Sequence, residues 1–331
     1  MMRHRGAFAL MFAVALLLFS SNVLRAQNPP VTDDEVKVKT YNRFVENRDP
    51  NPAEAYEAAR EYMRLYGKED DQYTRYFKIW IPAYEEDVRT RRLAAEREDR
   101  EQQLLVAFTQ KKFADAYARA GQVLNDDPNN VKVLIPLGYG GVVASTDTRN
   151  ENFNADAANY AQKAIQLIES GHAPDTWAPF KSKDDALGSL HYAIGFYWLK
   201  SKPEEAIGHL IKAAQSNSDR KTAPTTYYYL ALAYQNGPYK KLSDDYSRRF
   251  GNQAESPESK AALENVNKVL DKIIDAYARA IALAGSDPQH QSAKTQWTAR
   301  LTEFYKFRHA NSDAGLTEFI AGVLAKPLPQ P

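Results

Sequence analysis

The sequence predicts an all-α protein built from antiparallel helix pairs. From Pro52 onward, apolar residues recur at three- and four-residue steps, the spacing of one helix face. Strand-like runs are nearly absent, and the best, Val131–Ile135 and Val142–Val143, are short and sit beside glycines. Small residues also repeat along one face of every second helical segment, where they let two backbones approach closely.

The first segment reads as an export signal. Arg3, His4 and Arg5 precede an unbroken apolar run from Ala7 to Phe19, and a small-polar stretch leads to Ala26. This pattern predicts a signal peptide over 1–26, with the mature chain starting near Gln27. The run is shorter than the roughly 20 residues of a membrane span. No later segment reaches that length, and no cysteine is present to carry an N-terminal lipid. The mature protein is thus expected to be exported, periplasmic or secreted, without a membrane span.

Residues 27–51 are polar, lack periodicity and end in Asp49-Pro50-Asn51-Pro52, which predicts a flexible linker. Residues 52–101 read as N-terminal helical pairs. Ala53, Tyr56, Ala59, Tyr62, Met63 and Tyr66 form one stripe, and Tyr73, Tyr76, Phe77, Trp80 and Ile81 a second. Tyr84–Arg100 is almost continuously charged and is expected as a solvated helix laced with opposite charges.

Residues 102–325 carry an internal repeat. Ala116, Ala120 and Val123 share one face of a helix that leads to Pro128. Ala157, Ala161 and Ala164 do the same, as do Ala206, Leu210 and Ala213, and then Ile273, Tyr277 and Ala280. The preceding helices also rhyme: Tyr227, Leu230, Ala231 and Tyr234, more loosely Leu190, Ala193, Ile194 and Tyr197, and near the end Trp297, Leu301 and Phe304. In these large-small-large positions the chain resembles the tetratricopeptide (TPR) family, whose unit is a 34-residue helix–turn–helix with a closing proline. The match is good at Phe113, Ala116, Ala120 and the Asp127–Pro128–Asn129–Asn130 turn, and again at Glu204–Ile207 and Tyr227–Tyr234. The wider spacing of the units implies long loops, expected at Gly140–Asn154, Gly171–Lys183 and Gly237–Lys260. Tyr239–Ser259, within the last of these, is expected to be disordered. The resemblance implies a TPR-like α-solenoid, capped by Gln291–His309 and Gly315–Ala325 and followed by a tail over 326–331.

Composition excludes several functions. Lys and Arg number 43 and Asp and Glu 42, so there is no global basic field for nucleic acid. Three of the basic residues lie in the leader, which leaves 40 against 42 in the mature chain. The absence of cysteine removes disulfide, zinc-finger and thiol chemistry. There is no phosphate loop, no H-E-x-x-H and no G-x-S-x-G. The oxygen-rich tract Asp147–Asn154 lacks the glycine and terminal glutamate of a calcium loop. No catalytic residue, metal or cofactor is expected.

Aromatics are the remaining signal, with 20 tyrosines, 14 phenylalanines and 4 tryptophans. Tyrosine suits recognition surfaces, having an apolar body and a polar tip. In the TPR family the first helix of each pair lines the concave face. Carried over through the matched motifs, this implies Tyr139, His191, Trp198, Tyr228, Gln235, Asn236 and Tyr305 as partner-binding residues. The expected function is non-catalytic binding of a protein or peptide in the cell envelope. The alternative is an all-α envelope enzyme, a carboxylate-based polysaccharide hydrolase or lyase on a helical toroid.

Overall fold

A computed structural model describes residues 33–330. The leader and the first residues of the expected linker lie outside the described residues. Among those described, every regular element is helical and none is a strand. The α-helices are α1 (Asp33–Asn47), α2 (Pro52–Tyr66), α3 (Gln72–Thr109), α4 (Phe113–Asp126), α5 (Val131–Thr148), α6 (Asn154–Glu169) and α7 (Lys183–Trp198). They continue as α8 (Pro203–Gln215), α9 (Pro224–Tyr234), α10 (Lys240–Phe250), α11 (Pro257–Ala284), α12 (Gln291–Arg308) and α13 (Leu316–Gly322). No helix among the described residues is long and apolar enough to cross a membrane. The chain divides into two compact units at Arg92–Leu93, inside α3, whose span also includes the expected boundary at 101/102.

In the first unit, the segment expected as a linker is helix α1 from Asp33 onward. Its sequence is polar because only Thr40 and Phe44 are buried, too few for a visible stripe. Phe44 meets Phe77 and Trp80 edge-on, with centroids 4.8 and 4.9 Å away, and Tyr62 closes the cluster 5.1 Å from Phe77. Lys37 bridges Glu69 and Asp71, and Arg43 bridges Glu54 and Glu61 at 2.7 Å each. Asp71 also accepts from the Thr74 amide at 2.7 Å, at the start of α3, and from the Tyr62 hydroxyl at 3.0 Å. The charged stretch of α3 is exposed, with Glu86–Arg89 and Asp87–Arg91 pairs along its surface.

The second unit is a succession of packed helices. α5 packs on α6 and α7, α7 on α8 and α9, and α9 on α8 and α11, before α12 closes on α11. The repeated small-residue stripes are buried, including Ala116, Ala120, Ala157, Ala161, Ala164, Ala206, Ala213 and Ala280. At α5 the approach is closest. A Cβ on Gly138 would lie 2.7 Å from the Ala161 Cα and 2.8 Å from its backbone nitrogen. Glycine there is what allows α5 and α6 to touch backbone to backbone.

The connection expected at Gly171–Lys183 lies between α6 and α7, and the other two expected loops turn out shorter. Gly140–Thr148 belongs to α5, which Asn130 caps by accepting from the Val133 amide at 3.2 Å and which Arg149 ends in the left-handed region. The same cap makes the strand-like run Val131–Ile135 helical. Tyr239–Ser259 is largely ordered: a kink at Gly237 leads into α10, and α11 begins at Pro257 under a Ser256–Ser259 capping box. No α10 residue is buried, and surface pairs such as Lys240–Asp244 at 2.5 Å support it. Tyr239, Leu242, Tyr246 and Phe250 recur at three- and four-residue steps and are half-buried, an apolar stripe along this segment.

The tail is also held. Arg279, 5% exposed, donates to the Asp275 carboxylate at 2.6 Å and to the Lys326 and Pro327 carbonyls at 3.0 and 2.9 Å. Burial pushes the Asp275 carboxyl up, against the opposing pull of Arg279.

Three substitutions test this packing. Gly138→Ala should cost about 1–3 kcal/mol in urea unfolding through overpacking. Gly208→Ala on α8, where an added Cβ meets nothing within 4 Å, should instead stabilise by about 0.5–1 kcal/mol. Asp275→Ala leaves a buried guanidinium unpaired and should cost about 3–5 kcal/mol. It should also raise amide exchange at Lys326 and Leu328.

Candidate functional site

An aromatic line crosses the second unit from α5 to α12. On α7, Tyr192 and Phe196 stand one turn apart on the same face. Both reach Tyr229 of α9, with centroids 5.6 and 5.2 Å away. Tyr228 lies 5.4 Å from Tyr229 and stacks on Trp297 of α12 at 5.0 Å and 25°. Tyr139 of α5 joins through a cation: the Arg220 guanidinium sits 4.8 Å from the Tyr192 centroid and 5.5 Å from that of Tyr139. Arg220 comes from the short helical turn Asp219–Lys221 between α8 and α9. Tyr192 and Trp297 are buried, whereas Tyr139, Phe196, Tyr228 and Tyr229 are half-buried. Burial raises the phenol pKa of Tyr192, Tyr228 and Tyr229, so these hydroxyls stay protonated and can donate at neutral pH. Tyr192 donates to the Thr225 hydroxyl at 3.1 Å.

Beside Tyr139 lies an apolar cavity of about 510 Å³. Leu105 and Phe108 of α3, Phe113 of α4, Pro136 and Val143 of α5, and the loop residues Pro179 and Phe180 form its walls with Tyr139. Phe180 meets Tyr139 edge-on at 5.5 Å. Gly140 makes room for this wall, since a Cβ there would lie 2.3 Å from the Phe108 ring. Lys111 and Lys132 edge the cavity, and each already has a carboxylate, Asp147 and Glu101 respectively, at 2.5 Å.

The structure brings Tyr139 and Tyr228 together in the aromatic line. Gln235 lies next to it, donating to the Tyr277 hydroxyl at 2.8 Å and accepting from Arg300 at 3.4 Å. The other expected residues are placed elsewhere. His191 and Trp198 are buried and face α8: the Nδ1 atoms of His191 and His209 are 2.8 Å apart, and Trp198 sits edge-on to His209 at 5.2 Å. Asn236 is exposed and donates to the Leu199 carbonyl at 3.1 Å, just past the end of α7. Tyr305 is buried, lies 4.1 Å from His309 and donates to the Ala314 carbonyl at 3.2 Å.

The displacement on α7 has a helical cause. His191 and Trp198 are seven residues apart and share the α8 face, whereas the next residue, Tyr192, is turned about 100° away, toward α9. Tyr192, Phe196, Tyr229, Trp297 and Arg220 were missed. In the run Tyr227–Tyr228–Tyr229 three consecutive aromatics point three ways, so sequence alone cannot assign their faces. Arg220 lies in a connection, where no periodicity operates.

Among the described residues no group of three or more His, Asp or Glu is arranged to hold a metal ion. The His191–His209 pair has another consequence. Burial first, and then the neighbouring positive charges, lowers His191 to about 3 and His209 to about 4. In the unfolded chain both titrate near about 6.5. Between those values the unfolded chain takes up protons that the folded pair refuses, so stability is full above about pH 6.5 and falls as pH drops toward 4. Urea unfolding at pH 7 and pH 4.5 should show this loss. In His209→Gln the loss should be smaller, because only one depressed imidazole remains.

No protein-family model, no curated protein and no solved structure matches this chain.

Proposed function

We propose that this is an exported, non-catalytic helical-repeat protein, TPR-like in architecture, that holds a protein or peptide partner of the cell envelope against its aromatic line. Several features support the reading. The second unit packs as successive helix neighbours, each touching the next and often the one after, as stacked antiparallel pairs would. Small residues are buried on α4, α6, α8 and α11, and large ones on α5, α7, α9 and α12. The leader pattern of residues 1–26 supports export.

The observation that carries the binding reading is the line itself. Tyr139, Arg220, Tyr192, Tyr229, Tyr228 and Trp297 join five separate elements into one continuous run of rings and one cation. Half-buried tyrosines are already rigid, so a partner gains apolar contact and phenol hydrogen bonds at low entropic cost. An extended or helical segment laid across α5, α7 and α9 would meet one aromatic group from each.

Photo-crosslinking tests this directly. A photoreactive phenylalanine at position 139 or 228, mixed with envelope extract, should yield adducts to the same polypeptide. The same probe at exposed Ile79 in the first unit should not. Adducts at Ile79 alone, or none at 139 and 228, would reject the line as the binding surface.

A further inference from the structure

We propose that the cavity beside Tyr139 is a binding site for an uncharged aromatic small molecule. This goes beyond the partner reading, since the ligand sits in a cavity and is not a polypeptide laid across the helices.

Size and wall chemistry set the first limit. The volume of about 510 Å³ falls in the range that encloses a small molecule. The walls come from α3, α4, α5 and the connection between α6 and α7, all within the second unit. Four of the wall residues are aromatic. Phe108 meets Phe113 edge-on at 6.0 Å, and Tyr139 meets Phe180 edge-on at 5.5 Å, so the walls offer both ring faces and ring edges. An aromatic ligand adds edge-to-face and offset contacts to these pairs, whereas an alkyl chain gains its burial alone. The Phe108 ring holds its place because residue 140 is glycine, whose added Cβ would lie 2.3 Å from it.

Charge sets the second limit. The two cations that line the cavity are already matched, Lys111 by Asp147 and Lys132 by Glu101, at 2.5 Å each. The hydrogen bond from Lys111 lowers the Asp147 carboxyl below its ordinary value, so the carboxylate stays ionised beside the ammonium at neutral pH. The wall hydroxyls are engaged as well. Thr109 donates to the Leu105 carbonyl at 3.0 Å, and Thr176 accepts from the Ala178 amide at 3.3 Å. An anionic ligand would have to displace a carboxylate from its lysine, and a cationic one would meet two ammonium groups. An uncharged ring system does neither and loses little hydration on entering an apolar site.

The test is fluorescence titration of the mature chain with N-phenyl-1-naphthylamine and with 8-anilinonaphthalene-1-sulfonate, which share a ring system and differ by a sulfonate. The uncharged probe should bind one to one and at least tenfold more tightly than the sulfonate. Naphthol should displace it at lower concentration than octanol, an alkyl alcohol of similar hydrophobicity. Asp147→Asn, which leaves Lys111 unmatched, should tighten the sulfonate severalfold and leave the uncharged probe unchanged. Val143→Trp, which fills the cavity, should abolish binding of the uncharged probe. Sulfonate binding as tight as that of the uncharged probe, or octanol displacing it as well as naphthol, would overturn the assignment, and both comparisons use the unmutated protein. Loss of this site would leave the crosslinking result at position 228 unaffected, so the two readings fail separately.

Discussion

The second unit depends on close backbone approach at small residues. Where Gly138 of α5 meets Ala161 of α6, even a methyl group would collide with backbone atoms. Gly141, whose added Cβ would lie 2.8 Å from Ala157, enforces the same spacing one turn later. Helices this close have little freedom to slide, because side-chain ridges must fit fixed grooves. With the small-residue helices fixed, the large residues of α5, α7, α9 and α12 are brought into mutual register. The aromatic line follows from that register.

The first unit uses another device. Its core is a small set of edge-on and tilted rings around Phe44, Tyr62 and Phe77, surrounded by the Lys37 and Arg43 bridges. The rings supply burial at favourable quadrupole geometry. The bridges on their own are weak surface pairs. Edge-on rings explain why a helix with only two buried residues, α1, still packs.

Polar groups inside the second unit divide into satisfied and unsatisfied ones. Arg279 is fully engaged by Asp275 and two tail carbonyls, and in being so it fastens the chain end to α11. Arg220 lies by two rings, and among the described residues its buried Nε has no acceptor. A buried donor without a partner costs free energy that a folded chain normally avoids. Arg279 thus fastens the fold, whereas Arg220 lies between the rings of the aromatic line.

The sequence by itself determined the all-α class and the buried stripes, from Ala116 on α4 to Ala280 on α11. Both are properties of local periodicity, and a 3.6-residue repeat is visible in any long amphipathic segment. It also showed which helices carry large residues, and with them Tyr139 and Tyr228. Only the tertiary structure decided which aromatics share a line. One residue along a helix turns a side chain by about 100°, enough to send His191 to α8 and Tyr192 to α9. It likewise decided that α1 is a helix, since only Thr40 and Phe44 are buried on it and they leave no apolar stripe. The position of Arg220 between two rings was fixed by packing across three elements distant in sequence, a relation that no local pattern encodes.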